Sequence, residues 1–323
     1  MPSQHRIAAG ITVLIAICGA SNSLVTAEDL FIAGPIGVVY KGDSVTGDFE
    51  LFGAACLGPI QALALGDADI YAGDQVGAIL RFDLATGQFM AVFFLPDAAS
   101  AMVMDGSDLL VSESLGTIRR VEPLTGAVLS TMTAPIGIEA MHLIGDDLYV
   151  TGPTGDVWKG DAQTGGFAYF GCACAGTAQA MANDDENLFV GDNFGLFLRY
   201  ELATGFLMGE GFLPFDVTAM VMDGEDLLIS DSSQNVHRIN PLTGVVLDTL
   251  PSPIDIQAMQ MLPPAVPVTG DIDGDGDVDL DDRDALIAVL LDSPLDPAHV
   301  ARADLNGDGA TNGRDIQDFV NGL

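Results

Sequence analysis

Residues 70–87 read I-Y-A-G-D-Q-V-G-A-I-L-R-F-D-L-A-T-G, and residues 188–205 read L-F-V-G-D-N-F-G-L-F-L-R-Y-E-L-A-T-G. Each stretch holds two short apolar runs separated by a glycine-bearing turn and closes on Thr-Gly, the pattern of two strands leading into a hairpin. The unit recurs, with apolar runs starting at Leu30, Ile70, Leu109, Leu148, Leu188 and Leu227, spaced by 40, 39, 39, 40 and 39 residues. Eleven residues after each start stands a cation: Lys41, Arg81, Arg120, Lys159, Arg199 and Arg238. Two residues further on come Asp43, Asp83, Glu122, Asp161, Glu201 and Asn240, followed by Thr-Gly pairs beginning at 46, 86, 125, 164, 204 and 243. Glycine there supplies the positive φ of a tight turn, and the preceding acid or amide can accept turn N–H groups. Two residues of separation put cation and acid on one strand face. Six cations could ring a ligand, but an acid or its amide accompanies every one, so a local ion pair or hydrogen bond bracing each hairpin is the expected arrangement.

A period of about 40 residues built from short strands is the signature of a propeller blade. The expected fold class is all-β, a six-bladed β-propeller over residues 28–262 closed by pairing of the chain ends. Innermost strands recur near 60–66, 99–104, 138–143, 178–183 and 217–222, while the first unit lacks one. Ile254–Met261 matches those strands and has no further strands of its own after it, so it is expected to complete the first blade and remove the exposed edges. Units 1 to 3 match units 4 to 6 at a shift of 118 residues; residues 81–110 and 199–228 agree at 18 of 30 positions. The ring therefore reads as a doubled three-blade piece. The recurring Ala-Met at 101/102, 140/141, 180/181, 219/220 and 258/259 reads as filling between blades rather than as copper ligation.

The succession of apolar strand, G-x-[VIL] strand and D-x-x-T-G turn over residues 28–262 resembles the propeller repeats of quinoprotein-like and NHL-like proteins. That resemblance implies the fold and no particular activity. The chain carries neither a G-x-S-x-G elbow nor an H-E-x-x-H zinc motif.

Composition bounds the partners. Of 323 residues, 46 are acidic and 11 are Lys or Arg, a formal charge of -35 that repels nucleic acid and attracts cations. A positive start, the apolar run Ile7–Ala20 and small residues at Val25-Thr26-Ala27 give residues 1–27 the form of a secretory signal peptide. The run is shorter than the roughly 20 residues that span a bilayer, and no later segment approaches that length, so an exported protein without a membrane span is expected. Cys18 lacks the small residue before it that a lipobox needs.

Beyond residue 27, Cys56 and Cys174 occupy equivalent positions in units 1 and 4, which face each other across a six-membered ring and lie beyond disulfide reach. Cys172-Ala-Cys174 is open to a disulfide, a soft metal or the reduced state. His142 and His237 have no metal-ligand spacing around them and read as structural. The loops after the second strand of a blade carry Asp74, Glu113, Asp192 and Asp231, and the face they occupy is the expected ligand face, because loops on a rigid ring carry most recognition.

Residues 263–270, P-P-A-V-P-V-T-G, form a proline-rich linker. Composition then changes abruptly. Residues 271–282, D-I-D-G-D-G-D-V-D-L-D-D, place Asp271, Asp273, Asp275, Asp279 and Asp282 at positions 1, 3, 5, 9 and 12 of a calcium loop, with Gly276 at the sharp turn and Asp277 offering its carbonyl. A second copy 33 residues later supplies Asp304, Asn306, Asp308, Ala310 through its carbonyl, Asn312 and Asp315. Hard oxygen donors at this spacing select calcium, one ion per loop and two in all. Each loop runs into a short helix, near 281–291 and 315–320, and no comparable helix precedes either loop.

Two such loop-helix units at the end of an exported chain resemble a type I dockerin, here over residues 271–323 as a small α-helical calcium module. The resemblance implies docking onto a cohesin-like protein, often in polysaccharide-degrading assemblies, with loop positions 10 and 11 helping to select the partner. Those positions are Leu280 and Asp281 in the first copy and Gly313 and Arg314 in the second, differing between copies, and Thr311 replaces the usual aliphatic residue at position 8. Two functions follow as expectations. In one, the propeller is a binding or scaffold domain for an extracellular polysaccharide or protein, tethered through the dockerin-like module. In the other, the chain is a carbohydrate-active enzyme, a glycoside hydrolase or lyase, with its active site on the propeller loop face.

Overall fold

The computed structural model describes residues 28–54, 58–113, 115–172, 176–262 and 280–291, together with 272, 303, 305, 312, 316 and 319. The predicted signal segment 1–27 and predicted linker 263–270, with Cys56 and Cys174, lie outside the described residues, as do most of the predicted calcium ligands. Among the described residues, 24 strands form six antiparallel four-stranded sheets. The first blade confirms the predicted closure. Its order runs from Ala258–Met261 through Asp29–Ala33 and Val38–Asp43 to Glu50–Ala54, so the last strand of the chain pairs with the first in the register Leu30↔Met261 and Ala33↔Ala258. The other five blades are uninterrupted in sequence. They begin with the innermost strands Ile60–Leu65, Ala99–Asp105, Ala140–Ile144, Ala178–Asn183 and Ala219–Asp223. Each innermost strand touches those of both neighbouring blades, which makes a closed circle.

Packing explains the alternation read from the sequence. Six apolar clusters lie between adjacent blades, each drawing on two sheets; Phe31, Val39, Ile60 and Phe82 meet between blades 1 and 2, and Leu228, Val236, Leu30 and Ile32 between blades 6 and 1. The recurring methionines Met102, Met141, Met181, Met220 and Met259 are buried members of five of these clusters, as expected of a flexible side chain filling a wedge. Second strands are buried on both faces, whereas outermost strands such as Phe89–Phe94 alternate toward solvent.

The cations pair differently from expectation. Five of the six are held by an acid near the start of the second strand, not by the acid two residues after it: Lys41 by Asp29 at 2.7 Å, Arg81 by Asp69 at 2.8 Å, Arg120 by Asp108 at 3.0 Å, Lys159 by Asp147 at 2.7 Å and Arg238 by Asp226 at 3.2 Å. The reason is competition for lone pairs. Asp43 accepts the N–H groups of Val45 and Thr46 at 2.8 and 2.7 Å, Asp161 accepts those of Gln163 and Thr164 and the Thr164 hydroxyl, and Asn240 does the same for Leu242 and Thr243. These turn bonds hold the carboxyls of Asp43 and Asp161 below the usual carboxylate range. In blade 5 the second-strand position is Asn187, which Asp184 holds.

Two cations also tie blades together. Arg120 adds Asp105 and donates to the Ala162 carbonyl of blade 4 at 3.0 Å; Arg238, 118 residues later, adds Asp223 and donates to the Ser44 carbonyl of blade 1 at 2.9 Å. Arg238 therefore braces the joint where the chain ends meet. Its side chain is 9% exposed and that of Asp223 2%, against 30% and 40% for Lys41 and Asp29. Removing one partner of a buried pair strands the other charge, whereas exposed pairs contribute little. Arg238→Ala is expected to lower the unfolding free energy by about 3–5 kcal/mol, and Lys41→Ala by less than about 1 kcal/mol, in urea titrations followed by circular dichroism.

The Thr-Gly turns do not all demand glycine equally. A Cβ on Gly87, at φ +70°, would lie 2.1 Å from the Phe52 carbonyl oxygen of the preceding blade, while one on Gly244, at φ +68°, would meet nothing within 4 Å. Gly244→Ala should cost about 1–2 kcal/mol, the left-handed backbone alone. Gly87→Ala should cost clearly more, since backbone must move, and parallel melting curves of the two variants check the difference.

Candidate functional site

The residue just before each Ala-Met, or before Ala-Leu in blade 2, enters the innermost strand from the loop face: Gln61, Ser100, Glu139, Gln179, Thr218 and Gln257. One per blade, these six line both a mouth of about 500 Å³ and the central channel of about 720 Å³ that continues from it. Backbone bonds within the blades fix their positions. The N–H of Glu139 donates to Thr151, that of Thr218 to Ser230 and that of Gln257 to Ala33, each at 2.9 Å. The hydroxyls of Ser100 and Thr218 lie 3.0 and 2.8 Å from Ser112 Oγ and Ser230 Oγ, so their blades tether them. Among the described residues, the side chains of Gln61, Glu139, Gln179 and Gln257 make no such bond and are free to turn toward a ligand.

The 118-residue duplication gives the ring a near two-fold pattern. Gln61 matches Gln179, Ser100 matches Thr218, and the pattern breaks only where Glu139 faces Gln257. Glu139 is solvent-accessible, yet the enclosing walls remove enough water to raise its carboxyl above the usual range. Deeper in the channel, His142 Nε2 lies 2.5 Å from Asn183 Oδ1, and burial pushes the imidazole down, toward the neutral form. Its reading as structural holds. His237 is likewise engaged, by Asp231 at 2.9 Å and Thr249 at 3.0 Å, and stacks on Phe215 at 3.7 Å.

The loop acids singled out from sequence prove to be internal. Asp74, Asp192 and Asp231 are buried and close their own turns: Asp74 accepts the N–H groups of Val76 and Ala78 at 2.9 and 2.8 Å, Asp192 those of Phe194 and Leu196 at 2.8 Å, and Asp231 those of Ser233 and Asn235 at 2.8 and 2.9 Å. Glu113 is buried against Arg119, 2.5 Å away. The expected face is where the mouth opens, but its chemistry comes from residues that the sequence reading passed over. The available signal was a polar residue immediately ahead of each Ala-Met.

In the carboxyl-terminal module, the helix Leu280–Leu290 starts at loop positions 10 and 11, occupied by Leu280 and Asp281, with three further charged side chains, Asp282, Arg283 and Asp284, in its first turns. Asp282, the predicted position-12 ligand of the first loop, is fully buried and accepts the Ile272 N–H at 2.6 Å, joining the end of the loop to its beginning. Ile272, Leu286, Val289, Ala303 and Phe319 form a core, with Leu305 against it. Ile272 and Leu305 are equivalent across the 33-residue repeat, as are Leu286 and Phe319, so the two units bury matching residues against each other. Ile316 and Phe319 are helical, within the second predicted helix. Asn312 is described; Asp271, Asp273, Asp275, Asp277, Asp279, Asp304, Asn306, Asp308, Ala310 and Asp315, and the second pair of predicted partner positions, Gly313 and Arg314, lie outside the described residues.

Residues 269–321 match the family model of the dockerin type I domain. The module is a dockerin, a class that binds calcium and implies a cohesin partner. Among solved structures, the chain is similar to one in a nidogen/laminin complex, with 16% identity, a TM-score of 0.61 and coverage of 72% of this chain and 97% of that one. It is also similar to U3-55K at 13% identity, TM-score 0.58 and coverage of 72% and 80%, and to the WD40 β-propeller domain of Doa1 at 11%, 0.56, 72% and 81%. At such identity these likenesses concern the propeller fold alone. No curated protein matches the sequence. No helix among the described residues is long and apolar enough to cross a membrane.

Proposed function

We propose that this is an exported, non-catalytic binding protein that docks onto a cohesin-type partner and presents a rigid propeller to an extracellular polysaccharide or protein. The observation that carries the reading is the dockerin match over residues 269–321, supported by a core that pairs equivalent residues of the two loop-helix units. Two calcium ions are assigned to the loops: the first to Asp271, Asp273, Asp275, Asp277 through its carbonyl, Asp279 and Asp282, the second to Asp304, Asn306, Asp308, Ala310 through its carbonyl, Asn312 and Asp315. The donor set fits a hard cation, and the fully buried Asp282 places a charge where a bound divalent ion would compensate it. Bound calcium supplies the attraction that draws these carboxylates together, so ordering of the helices follows metal loading. Leu280, Asp281, Gly313 and Arg314 would then contact the partner.

The enzymatic alternative depended on loop-face carboxylates. The four identified from sequence are buried and hold turns or an ion pair through at least one carboxylate oxygen, and among the described residues lining the mouth Glu139 is the single carboxylate, whereas glycoside hydrolysis uses a pair. Binding is therefore the reading carried forward, with polysaccharide breakdown as the setting a dockerin suggests.

Isothermal titration of the full chain with calcium after chelator treatment should give two ions bound, with a gain of helical circular dichroism. Asp271→Ala and Asp304→Ala should each leave one ion, and chelator should abolish capture by an immobilised cohesin. A chain that binds no calcium, or docks equally well without it, contradicts the proposal.

A further inference from the structure

The ring at the mouth has a chemistry beyond the position it marks. Five of its six side chains are uncharged amides or hydroxyls and the sixth is Glu139. Among the described residues no Lys or Arg lines either the mouth or the channel below, although His142 and Glu28 line the channel farther in. Of the propeller's seven described Lys and Arg residues, Lys41, Arg81, Arg120, Lys159 and Arg238 are held by acids near the starts of second strands, toward the opposite face; Arg119, nearer the loop face, is taken by Glu113; and Arg199, at the blade-5 position equivalent to Arg81, lines neither the mouth nor the channel. The mouth thus offers one carboxylate with no bonded partner among the described residues and three side-chain amides, from Gln61, Gln179 and Gln257. Five amide or hydroxyl groups around one negative charge suit a donor-only, singly charged head.

We infer that the propeller mouth binds a lysine side chain of a protein partner, its ammonium paired with Glu139 and donating to the surrounding glutamine carbonyls. The ammonium has three donors and no acceptor, matching one carboxylate and two amide oxygens. An amino sugar carries the same charged head. However, none of the residues lining the mouth is aromatic, so a sugar ring would find no face to stack on. A protein source is therefore favoured. The inference deepens the reading of the propeller as a binding module and is independent of the calcium loops.

Titratable groups around Glu139 are few. The other lining residues, Gln61, Gln75, Ala98, Ser100, Gln179, Thr218 and Gln257, do not ionise, and His142 is bonded to Asn183. Because partial desolvation raises the Glu139 carboxyl, its charge is lost at a higher pH than for an ordinary glutamate. Binding should accordingly be full near neutral pH and fade as pH falls through that raised value.

The test is calorimetric titration of the calcium-loaded full chain with acetyl-Gly-Gly-Lys-Gly-Gly-amide, its Nε-acetyl counterpart and a glucosamine dimer. The lysine peptide should bind and the Nε-acetyl peptide should not. Glu139→Gln, which completes the two-fold ring and removes no hydrogen bond among the described residues, should weaken binding roughly tenfold to a hundredfold, the loss of a charge-assisted contact. Gln257→Glu, which places a second carboxylate in the ring, should tighten it. Unfolding midpoints of both variants report whether the fold is retained. Lysine-peptide binding unchanged by Glu139→Gln, equal binding of the acetylated peptide, or no binding overturns the inference, as does binding of the sugar dimer alone. Cohesin capture by the Glu139→Gln chain is read in parallel: if it persists while peptide binding is absent in every variant, the lysine site fails and the docking function stands.

Discussion

The pairing of Ala258–Met261 with Asp29–Ala33 is the constraint on which the propeller depends. Without it the innermost strands would form an arc, with unpaired backbone at the second strand of blade 1. With it they form a circle in which every innermost strand has two neighbours. Closure also sets the site, since Gln257, one residue ahead of the closing strand, is the sixth member of the mouth. The joint is braced by Arg238, whose guanidinium reaches from Asp223 and Asp226 in blade 6 to the Ser44 carbonyl in blade 1. Ser44 is buried and accepts the Glu28 N–H at 3.1 Å, so the first described residue of the chain is drawn into the same joint.

Duplication of a three-blade piece accounts for much of the remainder. Arg120 and Arg238 perform the same bridging at positions half a ring apart, one within continuous chain and the other across the closure. The mouth inherits the symmetry in the Gln61–Gln179 and Ser100–Thr218 pairs. The copies diverge at Glu139 opposite Gln257, which gives an otherwise neutral ring a single carboxylate. The dockerin repeats this logic on a smaller scale: Ile272 with Leu305 and Leu286 with Phe319 show two copies of one loop-helix unit sharing one core.

Much of this was legible in the residues. Period, strand order and closure follow from where Leu30, Ile70 and their equivalents stand, because a repeated backbone must place repeated side chains alike. The dockerin module was legible because its loop-helix unit recurs at a 33-residue spacing with oxygen-bearing residues and glycine in register. The pairing of the cations was not, since Asp43 and Asp69 are both within plausible reach of a strand cation and only the turn geometry shows that the acid after the cation is already bonded. Nor was the fate of Asp74 and Asp192, which look like surface loop acids until their burial is seen. The mouth was hidden for the opposite reason: Gln61, Ser100 and Thr218 are ordinary residues that acquire meaning only when six blades bring them together.

Hydrogen exchange of the native full chain tests this account most directly. If closure through the terminal strands holds the ring, amides in 29–33 and 258–261 should exchange as slowly as those in the interior strand Asp108–Glu113, through global unfolding only. Exchange at the terminal strands that is orders of magnitude faster than at 108–113, with the rest of the propeller still protected, would show that the ring stands without its closing pair and would contradict the account.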